Sequence, residues 1–94
     1  MRLNDTEIDL GLASLAGWRR EDGAIVADYR FRDFVAAFAF MTKVAAAAEE
    51  LRHHPDWRNS FSHVAIRLTT HDQGGVTELD LALAWRIHAI YAGG

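Results

Sequence analysis

The spacing of apolar residues changes period repeatedly along the chain, and each change marks an element. Asn4, Asp5 and Thr6 can each cap a helix, and Ile8, Leu12 and Leu15 follow at helical steps. This predicts a first helix from about Thr6 to Leu15, ended by Ala16-Gly17. Gly17 to Arg20 enters a short strand, Glu21-Asp22-Gly23 reads as a hairpin turn, and Ala24 to Phe31 suits a second strand. From Asp33 the period lengthens. Phe34, Phe38, Met41, Ala45 and Ala48 form one stripe, predicting the longest helix over about Asp33 to His53, with Phe34, Phe38 and Met41 in the core. Pro55, the only proline, disfavours helical geometry at His54.

Beyond it, Asp56 to Asn59 suits a short strand or an irregular link. Ser62 to Thr70 alternates, with Val64, Ile66 and Leu68 on one face and His63, Ala65 and Arg67 on the other. Asp72 to Gly75 is a turn, and Thr77-Glu78-Leu79-Asp80 resembles a capping box opening a third helix with Leu79, Leu83, Ile87 and Ile90 as its stripe. The order α-β-β-α-(β)-β-α predicts an α+β domain: an antiparallel sheet with helices on one face.

Composition narrows the function classes. Ninety-four residues, half of them hydrophobic, suit one domain, and so short a chain gains stability readily by self-association. The net charge is −3 and the basic residues are scattered, which argues against direct nucleic-acid binding. The absence of cysteine removes disulfides, thiolate metal sites and a cysteine nucleophile. No stretch reads as a signal peptide or a membrane span, so a cytoplasmic location is the expectation.

Chemistry concentrates in Glu49-Glu50-Leu51-Arg52-His53-His54-Pro55-Asp56-Trp57. On a helix, Glu49 and His53 are neighbours four residues apart, so the carboxylate is placed to hold one imidazole nitrogen. His71 lies at the exit of the alternating strand, before a Gly-Gly turn. Histidines exchange protons near neutral pH and suit acid-base catalysis. A plainer reading makes His53 and His54 a helix C-terminal cap. A metal site is a third reading, although adjacent histidines rarely both reach one ion. His63 and His88 lack acidic partners nearby in sequence and read as surface positions; Trp18, Trp57 and Trp85 read as packing residues, with Trp57 close enough to line a pocket. The capping box accounts for Asp80 by itself.

Glu49-x-x-x-His53-His54-Pro55-x-Trp57-x-Asn59, followed by Thr70-His71-x-x-x-Gly75-Val76-Thr77-x-x-Asp80, resembles the pterin-4a-carbinolamine dehydratase family. Gly17-Trp18, Asp33-Phe34 and Phe38-x-Phe40-Met41 extend the likeness from Gly17 to about Leu83. The resemblance implies a four-stranded antiparallel sheet with three helices on one face, assembled as a homodimer or homotetramer. It implies dehydration of 4a-hydroxytetrahydropterin to quinonoid dihydropterin, with no metal and no organic cofactor. The family's catalytic histidines fall on His53, His54 and His71, and its glutamate and aspartate on Glu49 and Asp80. Trp57 and Thr70 join Glu49 and Asp80 as expected substrate-orienting residues. We expect His54 and His71 to move protons and His53, steadied by Glu49, to orient the pterin. The partners implied are a reduced pterin and the phenylalanine hydroxylase pathway. The competing readings are a protein-interaction or dimerisation-cofactor module and an accessory role in pterin-cofactor metabolism without a hydroxylase. Phe61, where the family usually has tyrosine, and Gln73, where some members have cysteine, depart from the pattern and are expected to lie clear of the histidines.

Overall fold

In the computed structural model, which describes residues 1–93, the order is α1 (Asp5–Leu12), β1 (Arg19–Glu21), β2 (Ala24–Arg30), α2 (Phe34–Leu51), β3 (Asp56–Ser60), β4 (His63–Leu68), a short 3-10 turn (His71–Gln73) and α3 (Glu78–Ala92). The strands form one antiparallel sheet in the order β1-β2-β4-β3. This is the α+β architecture expected, and the uncertain link after Pro55 is a strand.

The β1–β2 hairpin turns on Asp22 and Gly23, both at positive φ, as the right-handed twist of a two-residue hairpin demands. The register then sorts the two faces. Ile25 pairs with Leu68, Ala27 with Ile66 and Tyr29 with Val64, and all six are buried. Between them Arg67, Asp28, Ala65, Arg30 and His63 face the other way, onto a charged surface. There His63 Nε2 lies 2.9 Å from Asp28 Oδ1, so the acidic partner missing from its local sequence comes from the neighbouring strand. His88 is half-buried rather than a free surface position, and its Nδ1 is buried without a hydrogen-bond partner.

Helix α1 opens with a reciprocal capping box between Asn4 and Glu7. It stops at Leu12, short of the predicted Leu15, although Leu15 is still buried. Gly11 lets α1 approach α3 closely, since a Cβ there would lie 2.6 Å from Leu81 Cδ1.

The buried face of α2 is Ala37, Phe40, Val44, Ala47 and Ala48. The stripe predicted from sequence is therefore rotated: Phe34 and Phe38 are about half exposed, Ala45 is exposed, and Met41 packs only at the core margin. The apolar residues of α2 run almost all the way round, and the sheet selects the alanine-lined side because small residues allow the helix to sit close. On α3 the buried set is Asp80, Leu83, Ala84 and Ile87, with Leu79 exposed. Of the tryptophans, Trp18 is buried and donates from Nε1 to Tyr29 Oη (2.8 Å), Trp57 packs half-buried against the core, and Trp85 is exposed rather than packed.

Candidate active site

Helix α2 ends two residues before the sequence suggested, and the manner of its ending builds the site. Arg52 adopts a left-handed conformation (φ 52°), the His53 N–H donates back to Ala48 O (3.0 Å), and the Arg52 N–H donates to Glu49 O (3.2 Å). These are the two bonds of a Schellman motif, with arginine where glycine is usual. Both histidines therefore lie outside the helix, and Pro55 follows the stop rather than causing it.

This ending separates Glu49 from His53. Counting four residues along a helix pairs them, but the chain has already turned at Arg52, and Glu49 Oε2 instead meets His54 Nε2 at 2.6 Å on the exposed surface. The expected Glu49–His53 contact is thus corrected to Glu49–His54.

His53 turns inward. Its backbone is fixed by the Schellman bond, and its Nε2 meets Oδ1 of Asp80, which is completely buried at the start of α3. The other oxygen, Asp80 Oδ2, accepts from the Thr77 N–H (2.8 Å) and from the Thr70 hydroxyl (2.8 Å). Thr77 Oγ1 accepts from the Leu79 N–H (3.3 Å) and lies 2.8 Å from Thr70 Oγ1. Because the Thr70 proton is committed to Asp80, the Thr77 hydroxyl donates to Thr70. Every direction in this buried chain is then settled, and the carboxylate's remaining oxygen takes the proton on His53 Nε2. In a neutral imidazole so held, the opposite nitrogen, Nδ1, is the acceptor.

The capping-box reading of Asp80 is correct but incomplete. One oxygen starts α3 and the other fixes an imidazole. Thr77, noticed only as a cap, belongs to the same network. Thr70, expected to orient substrate, is buried at the cavity edge with its hydroxyl donating to Asp80.

A cavity of about 430 Å³ opens beside His53 and Thr70, bordered by Arg52, Gln73, Thr77 and Glu78. Gln73 was expected to stand clear of the histidines, yet it lines the same cavity as His53. Arg52 and Glu78 are further residues that the motif did not single out. Their signal was present only as position, one following the helix stop and one opening the next helix. Phe61, the other departure, sits exposed in the β3–β4 turn at φ 53°.

His71 opens the 3-10 turn, largely exposed, with Nε2 3.7 Å from Asp56 Oδ2. That contact brings the turn after β4 against the start of β3, two residues beyond His54. Trp57 projects from β3 opposite Ile66, on the core side of the sheet. Among the described residues, no group of three or more His, Cys, Asp or Glu converges as metal ligands do.

Residues 1–90 match the family described as pterin 4 alpha carbinolamine dehydratase. A Brucella ovis protein named "Putative pterin-4-alpha-carbinolamine dehydratase" is 44% identical over 91 residues, covering 95% of this chain and 94% of its own length. A Brucella suis protein of the same name matches to the same degree. The crystal structure of a transcriptional coactivator/pterin dehydratase from Brucella melitensis superposes with a TM-score of 0.93 at 42% identity, covering 97% of this chain and 99% of that one. A pterin dehydratase-like protein described as a RuBisCO assembly factor in the alpha-carboxysome shares the fold, with a TM-score of 0.68 at 24% identity over 80% of this chain and 89% of that one.

Proposed function

The chain belongs to the pterin 4 alpha carbinolamine dehydratase family, and from that premise we propose that it dehydrates 4a-hydroxytetrahydropterin to quinonoid dihydropterin. The observation that carries this reading is the buried Asp80 holding His53 in one tautomer beside an open cavity.

The elimination breaks the C4a–O bond. The departing hydroxyl takes a proton and leaves as water, while a ring N–H loses its proton and its electron pair becomes the new C=N bond. One imidazole must be an acid and another a base, a pairing that typically contributes ~10²–10⁴-fold. His53, with Nε2–H committed to Asp80, presents Nδ1 as an acceptor and orients or deprotonates the pterin. Asp80 stabilises the imidazolium that results. His54, held by Glu49, and His71, beside Asp56, are exposed imidazoles with carboxylate partners, which suits them to deliver a proton to the hydroxyl. Proton transfer alone completes the chemistry, so neither metal nor organic cofactor enters the scheme.

The decisive experiment follows carbinolamine loss by ultraviolet absorbance with His53→Ala, His54→Ala and His71→Ala. Rates near that of the unaltered protein in all three would sink the reading. In this proposal the product feeds pterin recycling for an aromatic amino acid hydroxylase such as phenylalanine hydroxylase, in the cytoplasm; no helix among the described residues is long and apolar enough to cross a membrane.

A second reading, as an interaction module, draws on one feature. Phe34, Val35 and Phe38 stand exposed on α2, and apolar surface of this kind commonly marks an interface. The occupant we favour is another copy of the chain, giving a homodimer or homotetramer. Light scattering that returned a monomer at micromolar concentration would reject the assembly.

A further inference from the structure

A second cavity, of about 350 Å³, opens between the first half of α2, the end of β2 and the last turn of α3. Its floor is aromatic: Phe31 lies 4.9 Å from Phe40 and 5.4 Å from Tyr91, ring centre to ring centre. Ala36 and Ala39 form a low wall on α2 beside the partly exposed rings of Phe31 and Tyr91, with Phe40 buried beneath them. Ile90, Arg30, Arg32 and Lys43 complete the lining, which contains no carboxylate.

The charge at this place runs against the molecule as a whole. In a chain of net charge −3, three of the ten basic residues gather around one aromatic hollow, among them its single lysine. Among the described residues neither Lys43 nor Arg30 has a carboxylate partner, and Arg32 reaches only the exposed Asp33, at 3.7 Å. Unpaired cations beside apolar walls attract an anion, and aromatic floors favour a flat ring packed at an offset or edge-on. The volume lies at the small end of ligand cavities, suited to one or two fused rings.

The type of anion can be narrowed. The start of α2 does not offer a free amide cradle, because Asp33 Oδ1 already accepts from the Ala36 N–H (2.8 Å). With that carboxylate nearby, a multiply charged phosphate is disfavoured relative to a singly charged group. The geometry points to a second binding site, for a small planar aromatic carboxylate, with its ring against Phe31 and Tyr91 and its charge toward Lys43 and Arg32. This site shares no residue with the histidine cavity. Lys43 lies eight residues before Leu51, the last residue of α2, about 12 Å along a helix from the end that carries His53.

The test is calorimetric titration of the intact protein with 2-naphthoate, repeated with neutral 2-naphthamide and with a saturating reduced-pterin analogue. We expect one saturable naphthoate site, at least about tenfold tighter than the amide and unaffected by the pterin. Lys43→Glu and Arg32→Glu should each weaken it by at least about tenfold, a change of 1.4 kcal/mol or more. Arg58→Glu, on the opposite face of the sheet, should leave it unchanged. Circular dichroism and melting curves establish that each variant is folded. The inference is overturned by the absence of saturable binding, by equal affinity for the amide, by displacement with the pterin analogue, or by full affinity in folded Lys43→Glu and Arg32→Glu proteins. Because the readout is binding, it does not depend on the dehydratase reading.

Discussion

His53 and Asp80, 27 residues apart in sequence, meet where the end of α2 faces the start of α3, and the contact is buried on both sides. Each side chain is held by the termination or initiation of its own helix. The site is therefore a joint between two helix ends rather than a motif on one.

Asp80→Asn tests the tautomer. The amide oxygen can still accept from Thr77 and Thr70, but its NH₂ would face His53 Nε2 and force the imidazole proton onto Nδ1. We expect kcat for carbinolamine dehydration to fall by ~10² or more, with KM changing far less and the far-ultraviolet spectrum retained. A rate within about threefold of the unaltered protein would remove His53 orientation from the proposed mechanism.

Thr77→Ala removes a helix cap and the group that donates to Thr70. Loss of such a cap costs about 1 kcal/mol, to be read as a lower urea midpoint. Thr77→Ser keeps the hydroxyl and should retain most of the stability, separating the hydrogen bond from simple loss of volume.

Tyr29 governs the alkaline limb. Burial raises its phenol above the usual value of 10.0, opposed by the hydrogen bond from Trp18 and aided by Tyr91. Because the folded pKa is the higher one, this tyrosine's contribution is complete below pH 10 and is lost as the pH rises through its folded value. Melting temperatures should therefore fall above pH 10. Tyr29→Phe should flatten that fall, yet be less stable at pH 7 by about 1–3 kcal/mol because Trp18 Nε1 loses its acceptor.

Phe38 and Phe40 separate surface from core. Phe40→Ala should destabilise by about 3–5 kcal/mol. Phe38→Ser should change protomer stability by no more than about 0.5 kcal/mol, measured at concentrations low enough to suppress association. Equal losses would contradict the burial pattern of α2.

Arg52→Gly should stabilise the fold by about 0.5–1 kcal/mol, because glycine adopts the left-handed end of a Schellman motif without a Cβ penalty. Thermal melting checks this, and a matching assay reveals whether the guanidinium at the cavity edge assists turnover.

The alternation of β4 and the capping box of α3 were legible in sequence because each depends on neighbours close along the chain. The face of α2 was not. Phe34, Phe38 and Met41 make as good a stripe as Ala37, Phe40 and Val44, and only the sheet decides between them. The histidines show the same boundary between local and non-local information. Their spacing and their likeness to a family marked His53, His54 and His71, but the Glu49–His53 pairing assumed a helix that Arg52 had already ended. The Asp80 partner lay across a tertiary contact that no local pattern contains, as did Asp28 for His63.

One aspartate with an oxygen for each of two tasks has a consequence for how the protein fails. The Thr77 N–H bond that helps start α3 and the bond that aligns His53 converge on the same buried carboxylate. Drawing the two helices apart breaks the His53 contact, whereas the Thr77–Asp80 bond lies wholly at the start of α3 and survives, so the site can be lost while both helices persist. Catalytic activity during urea denaturation should therefore be lost no later than the helical signal, which makes turnover a gauge of the intact α2–α3 joint rather than of the helices themselves.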